Sequence, residues 1–215
     1  MSQPKKLVII GAGGLAREVA AQLETPASRG EVDLLGFAEA VGGRHLGRSV
    51  EGYSCQELEH YIRATPDLTA IVAIGASSAR ERVGAELEGL GIPLETCVDE
   101  SLFLGRTVRI GEGSILLSGS VLTANISLGR CVVLNPGCTV GHDTVIEDFV
   151  TISPGAHIAG NVHIQRGAFI GIGASICNGT EDRKLVIGAR AVVGAGACVI
   201  SDVASGATVK GVPAS

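Results

Sequence analysis

His142 is the side chain best suited to chemistry in this 215-residue chain. It lies in the stretch VGHDTVIED, between Gly141 and the acidic Asp143, and Asn135 precedes it by seven residues. An unperturbed imidazole has a pKa of ~6.5, so it can accept a proton at neutral pH. A carboxylate on its second ring nitrogen would fix the tautomer and favour the imidazolium; if Asp143 does not reach, a backbone carbonyl or water would orient the ring. By residue type alone, a surface histidine in a turn is the simpler interpretation.

A second candidate is the stretch GAGGLA at residues 11–16, which follows a predicted strand and opens a predicted helix. It matches the G-x-G-x-x-[GA] pattern, in which a glycine backbone approaches a phosphate at a helix N-terminus. Read alone, the pattern predicts an NAD site and a dehydrogenase. Only one mononucleotide-sized unit fits before the second half of the chain begins, and this weakens that interpretation.

The first half of the chain must position this glycine-rich turn, and its pattern alternates strands with helices. Apolar runs predict strands at 7–10, 32–37 and 68–75, and helices are predicted after the glycine turn, at 55–64 and at 77–91. Such alternation is typical of a parallel sheet covered on both faces. We therefore predict an α/β domain with a small Rossmann-like sheet at residues 1–95.

The second half, residues 96–215, must position His142. Its aliphatic residues recur with a period of six, which fits neither a helix nor a simple strand. Fourteen aliphatic residues recur at this spacing without a miss: Val98, Leu104, Ile110, Leu116, Leu122, Leu128, Leu134, Val140, Ile146, Ile152, Ile158, Ile164, Ile170 and Ile176. The position four residues after each is mostly small or β-branched, as at Ser120, Cys138 and Ala156. One large and one small inward residue in every six predict short strands wound around a narrow interior, the hexapeptide β-helix.

The six-residue period is interrupted once, between Ile176 and Ile187, where the spacing is eleven residues instead of six. Five extra residues therefore protrude, and the polar segment 177–186 is predicted to form a loop off the coil. His142, in contrast, falls at the third position of its hexad, where the chain turns a corner and the side chain points outward.

The composition and charge of the chain exclude some classes of partner. The net charge is −5 and no basic stripe is present, which argues against nucleic acid as the main partner. The six cysteines form no C-x-x-C pair, and the short apolar run near the N-terminus suits neither a signal peptide nor a membrane span. We expect reduced thiols and a soluble, cytoplasmic protein.

Four short stretches carry a resemblance to a known family: IGEGS, VGHDTVIED, IGIGAS and VGAGACV. They resemble the left-handed parallel β-helix of the hexapeptide-repeat acyltransferases, in which three faces make a coil of about 18 residues and the active unit is a homotrimer. The whole chain is similar to the branch that acetylates sialic acid, bacillosamine and perosamine precursors, with a small nucleotide-binding α/β domain before the β-helix. This resemblance implies an N-acetyltransferase that uses acetyl-CoA on the 4-amino group of a nucleotide-linked amino-dideoxy sugar, with GDP-perosamine favoured, for cell-surface polysaccharide such as O-antigen.

The resemblance also implies roles for individual residues. His142 would be the general base, Asp143 would orient it, and Asn135 would contact the sugar or the attacking amine. Backbone groups would hold the co-substrate acetyl-CoA, at Gly160, Ile172, Gly194 and Ala195, with no metal required. The nucleotide-sugar would be bound by Gly11, Gly13, Gly14, Leu15, Glu39, Gly75 and Ala76. In one departure from the family, Thr151 stands where a related enzyme has a second histidine near the acetyl group.

Other interpretations stay open at this point. A turn glycine explains Gly160 about as well, and an asparagine ladder at a β-helix corner explains Asn135 nearly as well. Arg80 could face a phosphate, although a solvated helix arginine is the better interpretation. The alternatives for function are a UDP-4-amino-sugar N-acetyltransferase, a sialic acid-type O-acetyltransferase, a non-catalytic sugar-nucleotide-binding trimer, and remotely a zinc enzyme of the γ-carbonic anhydrase type, for which the spacing of His142, His157 and His163 is a poor fit.

Overall fold

The computed structural model describes residues 3–215, and they divide into two compact units. The first runs as far as Thr96 and is an α/β domain, and the second, Cys97–Ser215, is a parallel β-helix. No helix in the described part of the chain is both long and apolar enough to cross a membrane.

The first unit is built on a five-stranded sheet. Its strands are β1 Lys5–Ile10, β2 Val32–Glu39, β3 Ser49–Val50, β4 Tyr53–Glu57 and β5 Thr69–Val72, and its helices are α1 Gly14–Ser28, α2 Leu58–Ala64 and α3 Ser77–Gly89. The strand order is β3-β4-β2-β1-β5, in which β4, β2, β1 and β5 are parallel. The edge strand β3 is antiparallel to β4, which the predicted all-parallel sheet does not include.

Strand β4 also corrects the helix predicted at 55–64, whose first residues belong to the sheet. Cys55 is fully buried and pairs with Phe37 of β2. The Tyr61 hydroxyl of α2 donates to the carbonyls of Phe37 at 3.1 Å and Ser54 at 3.0 Å, which ties the shortened helix to both strands. Pairing with a distant strand therefore overrides the local helical pattern.

The second unit consists of three parallel sheets, which we call faces 1, 2 and 3. Face 1 contains β6 Cys97–Val98, β9 Ile115–Leu116, β12 Val133–Leu134, β15 Thr151–Ile152, β18 Phe169–Ile170, β21 Val192–Val193 and β23 Thr208–Val209. Face 2 contains β7 Phe103–Leu104, β10 Val121–Leu122, β13 Thr139–Val140, β16 His157–Ile158, β19 Ser175–Ile176 and β22 Cys198–Val199. Face 3 contains β8 Arg109–Ile110, β11 Ser127–Leu128, β14 Val145–Ile146, β17 Val162–Ile164 and β20 Leu185–Ile187.

Each strand pairs with the strand one coil away, and this register determines which residues of neighbouring coils stack on each other. Thr139 pairs with His157, a spacing of 18 residues, whereas Val162 pairs with Leu185, a spacing of 23. The difference of five confirms the five extra residues predicted from the interrupted period. Leu185 and Val186 nevertheless belong to β20, so the excursion comprises residues 177–184 and ends earlier than predicted.

Inward positions form a ladder of alternating large and small residues, as the hexads predict. Leu122, Cys138, Val140, Ala156 and Ile158 are each at most 2% exposed, so these positions form the apolar interior of the coil. The six-residue period holds less well at its start, where Leu104 is 37% exposed. Leu104 lies in β7, an end strand of face 2 that pairs on one side only, with β10.

Two buried thiols make stability depend on pH. Burial raises the pKa of Cys97 to about 12 and that of Cys138 to about 11, in the latter case against hydrogen bonds from nearby backbone groups that lower it. The folded state thus keeps protons that the unfolded chain releases near pH 9. The contribution of these protonated thiols to stability is fully present below that pH. It is lost as the pH rises toward 11 for Cys138 and toward 12 for Cys97.

We expect the free energy of unfolding to fall above pH 9 by up to ~1.4 kcal/mol per pH unit for each such thiol. The control is Cys138→Ala, because Ser120 and Ala156 stack on either side of this position and alanine suits the small ladder. Thermal melting between pH 8 and pH 10.5 should show a steeper loss for the wild type than for the variant. Parallel curves would contradict the assignment to Cys138.

Candidate active site at the corners of the β-helix

The coil turns three corners, and each stacks its residues into a column. The histidine corner follows face 2 and includes residues 123–125, 141–143, 159–161 and 177–179. The isoleucine corner follows face 1 and includes residues 135–137, 171–173 and 194–196, and the charged corner follows face 3 and includes 129–131, 147–149 and 188–190. The predicted catalytic and cofactor residues of the second unit all lie in the first two columns.

His142 projects from the histidine corner, and its side chain is 61% exposed. Its Nδ1 atom lies 2.7 Å from Oδ2 of Asp143. Asp143 therefore does reach the ring, and no backbone carbonyl or water is needed in its place. Because an ionised carboxylate can only accept, Nδ1 of the neutral ring carries the hydrogen and Nε2 keeps the lone pair. The side chain is thus arranged as a proton acceptor at Nε2.

Gly160 lies directly under this imidazole, one coil beyond His142. A Cβ atom added to Gly160 would lie 2.6 Å from Nε2 and 2.7 Å from Cε1 of His142, so only glycine leaves room for the ring in its observed place. The carbonyl of Gly160 accepts from the N–H of Gly179 at 3.1 Å, but its own N–H has no acceptor within residues 3–215. A free N–H donor therefore lies next to Nε2.

Two further residues contact Asp143, and neither contact was predicted from the sequence. Asn125 donates from Nδ2 to Oδ1 of Asp143 at 2.9 Å, and the Lys184 ammonium donates to the Asp143 backbone carbonyl. The hydrogen bond from Asn125 and then that from His142 hold the pKa of Asp143 below its ordinary value, so the carboxylate stays ionised at neutral pH. The 18-residue spacing could have pointed to Asn125, because 125 and 143 share a corner.

Asn135 lies at the isoleucine corner, not beside His142. Its Nδ2 donates to the carbonyl of Ile152 at 2.8 Å, one coil away, while its own carbonyl accepts from the Ser120 hydroxyl at 3.2 Å. The chain therefore uses Asn135 to join coils, and a strand of face 2 separates it from the imidazole.

Three of the four residues predicted to hold the co-substrate share that corner, namely Ile172, Gly194 and Ala195, whereas Gly160 lies at the histidine corner. Phe169 and Ile170 pair with Val192 and Val193, which stacks Ile172 against Ala195 in the next coil. Ile172 is 61% exposed, and its backbone carbonyl accepts from the Gly196 N–H at 2.8 Å. The column therefore presents an apolar side chain beside exposed backbone.

The glycine-rich turn of the first unit lies at the carboxyl end of β1. Gly11 has φ +103°, and its N–H donates to the Ala38 carbonyl of the neighbouring strand at 2.8 Å. Gly13 caps α1 and Gly14 begins it, and a Cβ on either would meet nothing within 4 Å. With half-buried Leu15, these residues leave the first N–H groups of α1 open to an approaching anion.

Glu39 ends β2 at the same edge of the sheet, but its carboxylate already has partners. Oε2 accepts from the His45 backbone N–H at 2.8 Å, and Oε1 lies 2.9 Å from Nδ1 of the same residue. Burial would raise the pKa of Glu39, but these hydrogen bonds outweigh it and hold the pKa below its ordinary value. The predicted contact of Glu39 with the ribose or base of the nucleotide-sugar would have to share this carboxylate with His45.

Gly75 and Ala76 follow β5, and Ala76 caps α3. The prediction of a solvated Arg80 is wrong, since this residue is 0% exposed. Its Nη1 donates to the carbonyls of Ile74 at 2.7 Å and Gly75 at 3.1 Å, so the guanidinium braces the loop before its own helix. A side chain used in this way does not face a phosphate.

The remaining histidines of the β-helix lie on different faces. His157 is on face 2, with Nδ1 2.9 Å from the Thr139 hydroxyl, and His163 is on face 3, with Nε2 2.7 Å from Glu147. Among residues 3–215, no group of three or more His, Cys, Asp or Glu side chains is arranged to hold a metal ion.

Comparisons with known proteins agree with both units. The model of the PglD N-terminal domain matches residues 6–87. GDP-perosamine N-acetyltransferase of Escherichia coli O157:H7 is 34% identical over 210 residues, which cover 96% of this chain and 93% of the relative.

Two solved structures are similar over nearly the whole chain. The acetyltransferase domain of PglB from Neisseria gonorrhoeae FA1090, in complex with acetyl coenzyme A, has a TM-score of 0.87 and 29% identity and covers 99% of this chain and 98% of its own. PerB from Caulobacter crescentus, in complex with CoA and GDP-perosamine, has a TM-score of 0.84 and 27% identity, with coverage of 98% and 96%.

Proposed function

The chain belongs to the family of acetyl-CoA-dependent nucleotide-sugar N-acetyltransferases that includes GDP-perosamine N-acetyltransferase, and from this premise we propose its substrate and its catalytic residues. It acetylates the 4-amino group of a nucleotide-linked amino-dideoxy sugar, with GDP-perosamine favoured. The observation that carries this proposal is the His142–Asp143 pair, whose free Nε2 lies next to the unpaired N–H of Gly160.

In the proposed reaction, the neutral sugar amine attacks the thioester carbonyl of acetyl-CoA. His142 Nε2 accepts the proton that the nitrogen loses, and Asp143 stabilises the imidazolium through Nδ1–H. The Gly160 N–H donates to the oxyanion of the tetrahedral intermediate. As the intermediate collapses, the C–S bond breaks and the imidazolium returns the proton to the thiolate of coenzyme A. The products are the sugar amide and free coenzyme A.

The separation of the predicted residues between two corners favours a homotrimer. His142 and Gly160 lie at one corner of the coil, whereas Ile172, Gly194 and Ala195 lie at another. If the isoleucine corner of one protomer lies along the histidine corner of the next, the two columns form the walls of one groove. Exposed Ile172 then packs against the pantetheine arm, and Asn135 of that column could approach the sugar. A left-handed coil, as in the family, is part of this proposal.

The first unit, proposed to be Rossmann-like, holds the nucleotide. The open N–H groups of α1 suit a diphosphate because a helix N-terminus carries partial positive charge. Gly11, Gly75 and Glu39 lie at the carboxyl ends of three adjacent parallel strands, the edge where such sheets bind ligands.

A substrate panel tests the proposal. GDP- and UDP-linked 4-amino sugars and their 4-hydroxy counterparts are incubated with acetyl-CoA, and product masses and initial rates are measured. We expect one acetyl group on the amino sugars, with a higher kcat/KM for the GDP-linked form, and none on the hydroxy sugars. Faster acetylation of a hydroxy sugar would indicate an O-acetyltransferase. No binding of coenzyme A in calorimetry would overturn the enzyme assignment altogether.

A further inference from the structure

We propose that Asn125 and Lys184 are positioning residues for acetyl transfer, which hold Asp143 from two sides and through it orient His142. The inference rests on the proposed function of the His142–Asp143 pair and adds to it two residues in other coils.

The Asp143 carboxylate needs a second restraint. His142 and Asp143 are adjacent in the chain and both side chains are well exposed, so their mutual hydrogen bond leaves the pair free to rotate together. Asn125 removes this freedom by donating to Oδ1 at 2.9 Å while Oδ2 lies 2.7 Å from Nδ1 of His142. The carboxylate thus has one donor on each oxygen, and its plane is set from both ends.

Asn125 is itself held in place. Its φ of +59° nearly equals the +58° of Asp143, so the two residues repeat the same left-handed turn one coil apart. The backbone N–H of Asn125 donates to the Thr107 hydroxyl at 2.7 Å, a further 18 residues back. Three successive coils of the histidine corner therefore support the orientation of one carboxylate.

Lys184 reaches the same residue from the excursion at residues 177–184, which we call the insertion. The insertion is fixed to the coil, because the Gly179 N–H donates to the Gly160 carbonyl at 3.1 Å and Arg183 donates to Asp202 at 2.8 Å. From this base the Lys184 ammonium donates to the Asp143 carbonyl. The insertion thereby fixes the backbone of Asp143 and brings a positive charge near its carboxylate.

Neither contact is needed to stack the coils. The backbone bonds that join coils at this corner are made without them: Asp143 N–H donates to Ala124 at 3.0 Å, and Asn161 N–H donates to His142 at 2.9 Å. The Nδ2 of Asn125 and the Nζ of Lys184 both converge on Asp143 instead. Their removal should therefore affect catalysis more than folding.

The test uses Asn125→Gly, which keeps the left-handed backbone and deletes the amide, and Lys184→Met, which keeps the stem and deletes the charge. We expect kcat to fall about tenfold in each, the size expected for one lost charge-assisted hydrogen bond, with KM for the sugar within about twofold. Arg190→Gly is the matched control, since Arg190 has φ +56° at the charged corner. Its kcat should stay within about twofold of the wild type.

A double-mutant cycle separates positioning from a general structural role. In an Asp143→Ala background, Asn125→Gly should lower kcat no further, because its only route to the imidazole is gone. A second tenfold loss in that background would overturn the proposal, as would an unchanged kcat in the single variants.

A readout without substrate distinguishes this inference from the proposed function. In ¹⁵N-histidine NMR spectra of the full chain, the His142 signal is assigned by its loss in His142→Ala. We expect the neutral ring to be mainly the Nδ1–H tautomer in the wild type and a mixture in Asn125→Gly. An identical tautomer in both would overturn the positioning role even if acetyl transfer is observed. If no acetyl transfer is found, the spectra still test the network.

Discussion

We expect His142→Ala to lower kcat for acetyl transfer by at least about a hundredfold and to leave the protein folded. General base catalysis contributes about 10²–10⁴ in rate, and the variant has no other group at the position of Nε2. The side chain is 61% exposed and projects from a corner, so its loss removes little packing from the interior. Steady-state kinetics and thermal melting of the same preparation measure both parts.

The matched control for this substitution is His157→Ala. His157 is also an exposed histidine, on face 2, and within residues 3–215 the hydrogen-bond partner of its Nδ1 is the Thr139 hydroxyl, at 2.9 Å. We expect its kcat to stay within about twofold of the wild type. A His142→Ala enzyme with near-normal turnover would rule out the proposed base.

Gly160→Ala is expected to inactivate the enzyme to a similar degree, by at least about a hundredfold. Gly160 is not in the left-handed region, so alanine can adopt its backbone, but the new methyl group would lie 2.6 Å from His142 Nε2. The imidazole must then leave its place, and a displacement of about 1 Å in a reacting group can cost 10²-fold. The measurement is kcat together with the melting temperature.

A double-mutant cycle on the melting temperature tests whether the clash with the imidazole causes the loss. Removing the ring in His142→Ala/Gly160→Ala leaves space for the methyl group, so the double variant should melt higher than Gly160→Ala alone. Gly141→Ala serves as the comparison, because its Cβ would meet backbone atoms of Ala159 and Gly160 at 2.6 Å. Truncation of His142 should not rescue that variant. Equal rescue of both would show that the clash with the imidazole is not the cause.

The β-helix could be predicted from sequence because its rules are local and repeated. Each hexad buries one large and one small residue, so the pattern places Val140 and Cys138 inside and His142 on a corner. The 18-residue coil then puts Gly160 next to His142, as the register shows. One residue that departs from the pattern does not change the prediction, because the neighbouring coils indicate the same register.

Features that depend on non-repeated contacts could not be predicted in this way. Arg80 reads as a surface residue of α3, yet two carbonyls in the loop before the helix draw it into the interior. The helical pattern at 55–57 gives way to pairing of β4 with β2, which lies 18 residues earlier in the chain. The contact of Lys184 with Asp143 spans 41 residues and depends on how the insertion folds back.

The strict register of the second unit also limits how its gene can vary. A one-residue deletion between Val98 and Ile176 would rotate every later hexad, turning buried aliphatics outward and moving the residues of one column into another. We therefore expect homologous chains to differ here by complete windings or by outgrowths at a bend, of which residues 177–184 are an example. Relatives that gain or lose coils before His142 or after Gly160 should keep the pairing of positions 142 and 160, since each position depends only on its immediate neighbours along the column.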